Sequence, residues 1–344
     1  MPKKVKMYEA MLWTKERGGV RCELCARRCL IQKDKRGFCN VRINKDNKLY
    51  TIAYGKLCAV NVDPIEKKPL FHFYPGSKAL SIATLGCNFK CQFCDNWQLS
   101  QIVDQETKEL KGDEYTPEEI VKLAEDNDCQ AISYTYTEPT IFFEFAYKTA
   151  KLAHRAGIKN TFVTNGYMTK EAVKKIAKYL DAATVDFKAS GDSEFYKKFM
   201  SVPKVEPIYN ALLQMKKQRI HIEITNLIIP QLGDNIDKCR ALAQWISSEL
   251  GPEIPFHILQ FFPEHQMQQL PLTPVSTLEK CLDEAKKTGL RYVYIGNVFG
   301  HPAENTYCYN CGELLIVREG FETKKINLVK DRCPNCGARI NIVI

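Results

Sequence analysis

Nowhere in the 344 residues do about 18 apolar side chains follow one another, the length a membrane-crossing helix needs, so no transmembrane helix is expected. The opening run Met1-Pro2-Lys3-Lys4-Val5-Lys6 is basic but lacks the apolar core of an export signal, which predicts a cytoplasmic chain with no membrane partner. There is no low-complexity tract. Charge of one sign is not gathered into an arm either. The 49 basic and 40 acidic residues leave a net +9 spread along the chain, a mildly basic solvated surface that by itself does not argue for nucleic acid as a partner. What the chain has in plenty is cysteine. Fifteen thiols without an export signal argue against a disulfide framework and for metal ligation, because reducing compartments keep thiols free.

Cys58, Cys129, Cys239 and Cys281 stand alone, and the other eleven cysteines fall into three groups. The central group lies in Leu85-Gly86-Cys87-Asn88-Phe89-Lys90-Cys91-Gln92-Phe93-Cys94. Its C-x3-C-x2-C spacing suits three irons of a four-iron cluster and leaves the fourth without a protein ligand. Electron-carrying clusters are ordinarily wrapped by four thiolates, so three close ligands with no obvious fourth point to a cluster that does chemistry. The structural alternatives are a zinc site short of a ligand, or buried thiols acting as small hydrophobes.

The N-terminal group is Cys22-Glu23-Leu24-Cys25-Ala26-Arg27-Arg28-Cys29 followed by Cys39. It could hold zinc or an auxiliary iron-sulfur cluster, since both accept thiolate tetrads. The C-terminal group pairs Cys308-Tyr309-Asn310-Cys311-Gly312 with Cys333-Pro334-Asn335-Cys336-Gly337, the knuckle pattern of a zinc ribbon, with rubredoxin-like iron as the rival. Such a module is too small to fold on its own core and would depend on its metal.

Between the flanking groups, from about Lys78 to Gly300, short β-branched runs alternate with amphipathic stretches. Strands are expected at Ala79 to Thr84, Gln130 to Tyr134, Asn160 to Thr164, Ala182 to Asp186, His221 to Ile229, Phe256 to Phe262 and Arg291 to Ile295. Thr116-Pro117-Glu118-Glu119 opens one helix with a capping threonine, a proline at the first position and an acid three residues after the cap. A second is expected from Lys170 to Leu180, with Ala172, Val173, Ile176, Ala177 and Leu180 at core spacing. The alternation predicts an α/β fold of parallel strands with right-handed crossovers, closing fully or partly into a barrel with active residues at the strands' C-terminal ends. Three units follow: residues 1–77 as a cysteine-rich module and lead-in, 78–300 as the barrel, and 301–344 as the ribbon.

The cluster loop, with the aromatic Phe93 before its third cysteine, resembles the radical S-adenosylmethionine (SAM) superfamily. That resemblance implies an open, partial (β/α)6-type barrel and a [4Fe-4S] cluster on Cys87, Cys91 and Cys94. It also implies that SAM chelates the open iron, and that one electron cleaves it to a 5′-deoxyadenosyl radical that abstracts hydrogen from a target. Phe93 then matches the adenine contact. Thr137-Glu138-Pro139 resembles the family's Gly-Glu-Pro segment, placing Glu138 at the SAM amino group, with a helix-start acid as the alternative. Asn165, in Thr164-Asn165-Gly166, could meet the SAM carboxylate or ribose, or simply mark a turn. Asp186-Phe187-Lys188 resembles the D-x-K of glycyl-radical-enzyme activases, in which the pair contacts SAM, although an Asp/Lys pair at a strand end is also a common surface feature. His265, after Pro263, matches the activase histidine, while His257 reads as base-of-barrel core.

Together with the lead-in Asp63-Pro64-Ile65-Glu66-Lys67-Lys68-Pro69-Leu70-Phe71-His72-Phe73 and the two flanking cysteine groups, the chain resembles AmmeMemoRadiSam-system radical SAM enzymes, relatives of the pyruvate formate-lyase activating enzymes. The resemblance implies an activase-like enzyme with a ferredoxin or flavodoxin reductant and a protein substrate or Memo-like partner. Two other readings stay open: a radical SAM enzyme that modifies RNA, and a non-enzymatic electron-transfer or scaffold protein.

Overall fold

The computed structural model describes residues 7–101 and 110–344; the basic run Met1 to Lys6 lies outside the described residues. At its centre is one mixed eight-stranded sheet whose strands lie side by side in chain order. They are β1 (Ala59–Pro64), β2 (Lys78–Ala83), β3 (Ala131–Tyr134), β4 (Lys159–Thr164), β5 (Ala182–Lys188), β6 (His221–Ile228), β7 (Phe256–Gln260) and β8 (Val293–Gly296). From β2 to β8 every neighbouring pair is parallel, and β1 joins β2 antiparallel. The sheet is open, since β1 and β8 are its two edges. It therefore differs from the expected six-stranded barrel in strand number and in its antiparallel edge. Every residue of β3 is buried, as expected for a parallel strand covered on both faces.

The crossovers are helical: α1 (Pro117–Asp126), α2 (Phe143–Arg155), α3 (Lys170–Ile176), α4 (Ser193–Met200), α5 (Glu206–Lys217), α6 (Ile236–Trp245) and α7 (Val275–Lys287). The start of α1 is the predicted capping box: the Glu119 amide donates to Thr116 Oγ1 at 3.2 Å, and the Thr116 amide to Glu119 Oε2 at 2.7 Å. Helix α3 stops at Ile176, but Leu180 beyond it is still buried as its spacing requires.

Residues 8–51 form two small three-stranded antiparallel sheets that periodicity over so short a span did not reveal. Arg42–Lys45 and Lys48–Thr51 turn through Asp46 and Asn47, both left-handed (φ 50° and 58°), the geometry that a two-residue hairpin demands. Val20, Val41 and Leu49 belong to the same contiguous apolar core as the sheet residues Ile82 and Phe162. A buried ion pair fastens this contact. Arg42 Nη1 lies 2.9 Å from Glu144 Oε1 on α2, while Arg42 Nη2 donates to the Met11 carbonyl at 2.7 Å.

At the other end, the strands Thr306–Tyr307, Leu314–Glu319 and Glu322–Ile326 form a three-stranded sheet. It packs on Tyr292 and Tyr294 beside Phe71 of the lead-in. Beneath it the wholly buried Glu223 of β6 accepts four hydrogen bonds, from the Phe71 amide (3.0 Å), the His72 amide (2.7 Å), His221 Nε2 (3.1 Å) and His257 Nε2 (2.8 Å). Burial alone would raise its carboxyl, but the two imidazoles outweigh that and hold it well below the usual range. His257 is thus core, as expected. Among the described residues no helix is long and apolar enough to cross a membrane.

A carboxyl depressed in the folded state contributes stability that is full above its unfolded pKa and is lost as pH falls through the folded value. Glu223→Gln should therefore lower unfolding free energy by roughly 3–5 kcal/mol at neutral pH and flatten the loss of stability below about pH 4. Chemical denaturation across pH measures both, and an unchanged acid limb would disprove the assignment.

Candidate functional site

The parallel strands all end at one end of the sheet, and there a cavity of about 480 Å³ opens, a size usual for small-molecule sites. Its walls bring together Cys87, Cys91 and Cys94, Phe93, Glu138, Asn165, Asp186 and Lys188, from the loops or ends that follow β2, β3, β4 and β5. These side chains are separated by up to about a hundred residues, so the parallel topology is what collects them.

The cysteine loop leaves β2 through Gly86 at φ 105°; a side chain there would meet the Cys39 carbonyl and Val41 at 3.0 Å, so the residue must be glycine. The loop is pinned by its backbone to α4, with the Lys90 amide on the Met200 carbonyl (3.0 Å) and the Gln92 amide on Phe199 (3.0 Å). The three thiols are half-buried on one wall. Burial pushes all three up, Cys87 to about 12. Free thiols here would stay protonated, so ligation must supply the charge that makes them thiolates. Among the described residues, only the C-terminal tetrad has thiols close enough for one ion, all within 4.8 Å of one another; this triad is spread wider. A vacant-sided wall of three spread thiols fits a multi-iron cluster with one open iron.

Opposite, Glu138 is buried and heavily engaged. Oε1 accepts from Thr164 Oγ1 (2.7 Å) and from Thr140 Oγ1 (2.5 Å) and its amide (3.0 Å), and Oε2 accepts from the Asn165 amide (2.8 Å). Burial raises its carboxyl against those bonds. It also caps the short helix Pro139–Phe142, the alternative role considered for it. Asn165 Nδ2 reaches back to Asn88 Oδ1 at 2.7 Å, joining the β4 turn to the cysteine loop. On β5, Lys188 Nζ sits 3.2 Å from Asp186 Oδ2, and Thr225 Oγ1 donates to Asp186 Oδ1 at 2.6 Å. Burial pulls Lys188 down, but Asp186 more than compensates and keeps it raised and charged.

His265 is not part of that lining. Its ring stacks on Trp97 at 4.9 Å, and the next amide, Gln266, donates to the Gln92 carbonyl at 2.8 Å. Conversely, Lys67 and Lys68 line the cavity without having been expected there. Both bind Asp63, at 2.9 and 2.7 Å, and Tyr136 donates to the same carboxylate at 2.5 Å. Burial lowers Lys68 to about 8. The sequence signal was an acid and two lysines spaced around a proline in the lead-in.

At the C-terminus, Cys308 and Cys336 lie 3.6 Å apart and Cys311 and Cys333 3.7 Å apart. Sulfurs about 2.3 Å from one tetrahedral zinc would be about 3.8 Å apart, so this set suits a single ion. Gly312 and Gly337 close the knuckles, their amides each donating to the first cysteine carbonyl at 2.9 Å.

Residues 81–246 match the radical SAM superfamily. An uncharacterized protein of Methanocaldococcus jannaschii is 46% identical over 341 residues, covering 98% of this chain and 100% of that protein. Another protein of that organism, provisionally named a glycyl-radical enzyme activating enzyme, is 25% identical over 246 residues, 68% of this chain and 93% of the other. Among solved structures, Streptococcus suis SuiB bound to S-adenosylmethionine superposes with a TM-score of 0.51 at 16% identity, over 67% of this chain and 53% of that one, a likeness of fold.

With residues 301–344 taken as a separable module, Cys308→Ser should release its metal and open amides there while leaving those of β2 to β6 protected. Metal analysis with hydrogen exchange tests this, and equal loss across the sheet would refute the boundary near Gly300.

Proposed function

We propose that this chain, whose residues 81–246 match the radical SAM superfamily, is an activase-like enzyme of the AmmeMemoRadiSam type. In this reading it holds a [4Fe-4S] cluster on Cys87, Cys91 and Cys94, and SAM in the 480 Å³ cavity. The observation that carries it is the union, in one cavity, of three spread thiols with an Asp186–Lys188 pair and the bonded Glu138. The group supplies one-electron reductive cleavage of SAM, giving a 5′-deoxyadenosyl radical that takes a hydrogen atom from the target.

The protein's own residues orient and enclose. Lys188, kept charged by Asp186, offers an ammonium to the SAM carboxylate or ribose oxygens, while Asp186 stays aligned by Thr225. Glu138 offers a buried carboxyl to the SAM amino group, held in place by Thr140, Thr164 and Asn165. Phe93, packed against Phe195 with ring centroids 5.7 Å apart, presents an apolar edge for adenine. His265 acts from the rim through Trp97. Zinc occupies the C-terminal tetrad, and the reductant is a ferredoxin or flavodoxin. The identity with the provisionally named activating enzyme supports a protein target.

Cys91→Ala should abolish formation of 5′-deoxyadenosine from SAM by the anaerobically reconstituted, reduced protein while leaving its circular dichroism intact; surviving cleavage would end the reading. Lys188→Met should keep the iron and raise the Kd for SAM about 10- to 100-fold, the effect of losing a charge-assisted hydrogen bond of about 1.5–3 kcal/mol. Equilibrium binding checks it.

A further inference from the structure

Beside the 480 Å³ cavity a second and larger hollow, of about 750 Å³, lies between the ends of β7 and β8 and the C-terminal module. The two are neighbours on one face of the sheet. A single row of register partners, Lys188 on β5, Leu227 on β6, Leu259 on β7 and Gly296 on β8, crosses both. Lys188 and Leu227 line the cavity, and Leu259 and Gly296 line the groove. The lead-in turn is the wall between them, with Lys67 and Lys68 on the cavity side and Glu66 and Pro69 on the groove side. On the reading that the target is a protein, we infer that this groove receives an extended segment of that target, apolar in the middle and flanked by lysine or arginine, and leads it into the SAM cavity.

The distances suit a peptide. Neighbouring strands lie about 4.8 Å apart, so Leu259 is about 10 Å from Lys188 along the row, a span that about three extended residues cover. A target residue about three positions beyond the groove then stands at the cavity wall.

The surface is apolar and bare. Phe262, Phe299 and Phe321 line the groove while 46%, 77% and 49% exposed, and aromatic surface gathered in this way marks a binding site. A side chain on Gly320 would sit 3.4 Å from the Phe299 ring, so that ring bridges from the end of β8 to the module. A side chain on Gly296 would meet Leu259 at 2.5 Å, so the floor is left to the leucine.

Charge selects the flanks. Although the chain carries a net +9, the groove is lined by Glu66, Glu304, Glu319 and Glu322 and, among the described residues, by no lysine or arginine. The cations nearest these acids stand outside the lining: Lys324 pairs with Glu319 at 3.5 Å and with Glu322, and Arg318 is 4.0 Å from Glu66. Four acids against two cations leave an excess of negative charge, and the Glu319 and Glu322 side chains, 54% and 68% exposed, carry it to the rim. A cationic flank is attracted there and an anionic one repelled.

Fluorescence polarisation tests this with two mixtures of labelled decapeptides, random in Leu, Phe, Val and Gly at the centre and carrying either Lys and Arg or Asp and Glu at both ends. The basic-ended mixture should bind about tenfold more tightly, and the difference should shrink as salt rises. Phe299→Ser with Phe321→Ser should weaken its binding about tenfold or more, through lost apolar contact. Glu319→Lys with Glu322→Lys should reverse the preference. All four side chains are exposed, so neither variant threatens the fold. Equal binding of the two mixtures, or binding that both variants leave unchanged, would overturn the inference. So would a dimer, seen by sedimentation, that Phe299→Ser dissociates, because the groove would then belong to a second copy of the chain. Every arm reads binding without SAM turnover, so failure here is distinct from failure of the proposed activity.

Discussion

Seven strands running in one direction must all end at the same end of the sheet, and the chemistry of this protein depends on that constraint. Strand order follows chain order, so each successive β-to-loop exit adds one group to a neighbouring part of the same wall: the thiols after β2, Glu138 after β3, Asn165 after β4, Asp186 and Lys188 at the end of β5. A right-handed crossover between each pair keeps the helices outside and the exits clear. An antiparallel sheet of the same residues would have split them between its two ends.

An open sheet must also have its interior closed by something. The end of β1 and the segment after it do this with charged groups that would be prohibitive if unpaired. Asp63 accepts from Lys67, Lys68 and Tyr136, while Glu223 receives two lead-in amides. Arg318 from the C-terminal module lies over the Phe71 ring and donates to the Phe71 carbonyl at 2.8 Å. Satisfied to this degree, buried polar groups fix one arrangement of lead-in, sheet and ribbon, because any shift would strand a charge in apolar surroundings.

The sheet was legible in the sequence because parallel strands covered on both faces write themselves as short apolar runs; the expected seven lie within two residues of those observed, and Ala182 to Asp186 runs on to Lys188. The edge strand β1 was not recognised, since in Ala59-Val60-Asn61-Val62-Asp63 the apolar Val62 is exposed and the charged Asp63 buried, the reverse of what an apolar run signals. The site was legible where a motif is local, as at Cys87, Cys91 and Cys94. It was not where partners come from distant elements: nothing in the chain announces that Lys68 lines the same cavity as Lys188, or that the separately placed Cys239 and Cys281 are both buried on the packed helices α6 and α7. His265 was sought in the cavity, but stacking on Trp97 holds its ring outside the lining.

The three thiol groups show why spacing along the chain underdetermines a metal. Cys22 and Cys25 are separated by two residues, as are Cys308 and Cys311, and both groups add up to four ligands. What differs is the backbone that carries them. In the C-terminal group two glycine-closed knuckles face each other and bring four sulfurs to one point. In the N-terminal group Cys22 ends a strand and its amide donates to the Cys29 carbonyl at 2.9 Å, Cys25 bridges to Met168 and Cys39 abuts the loop of Cys87 to Cys94. Ligands of identical chemistry are thus anchored on different backbone frames, which their spacing along the chain does not disclose.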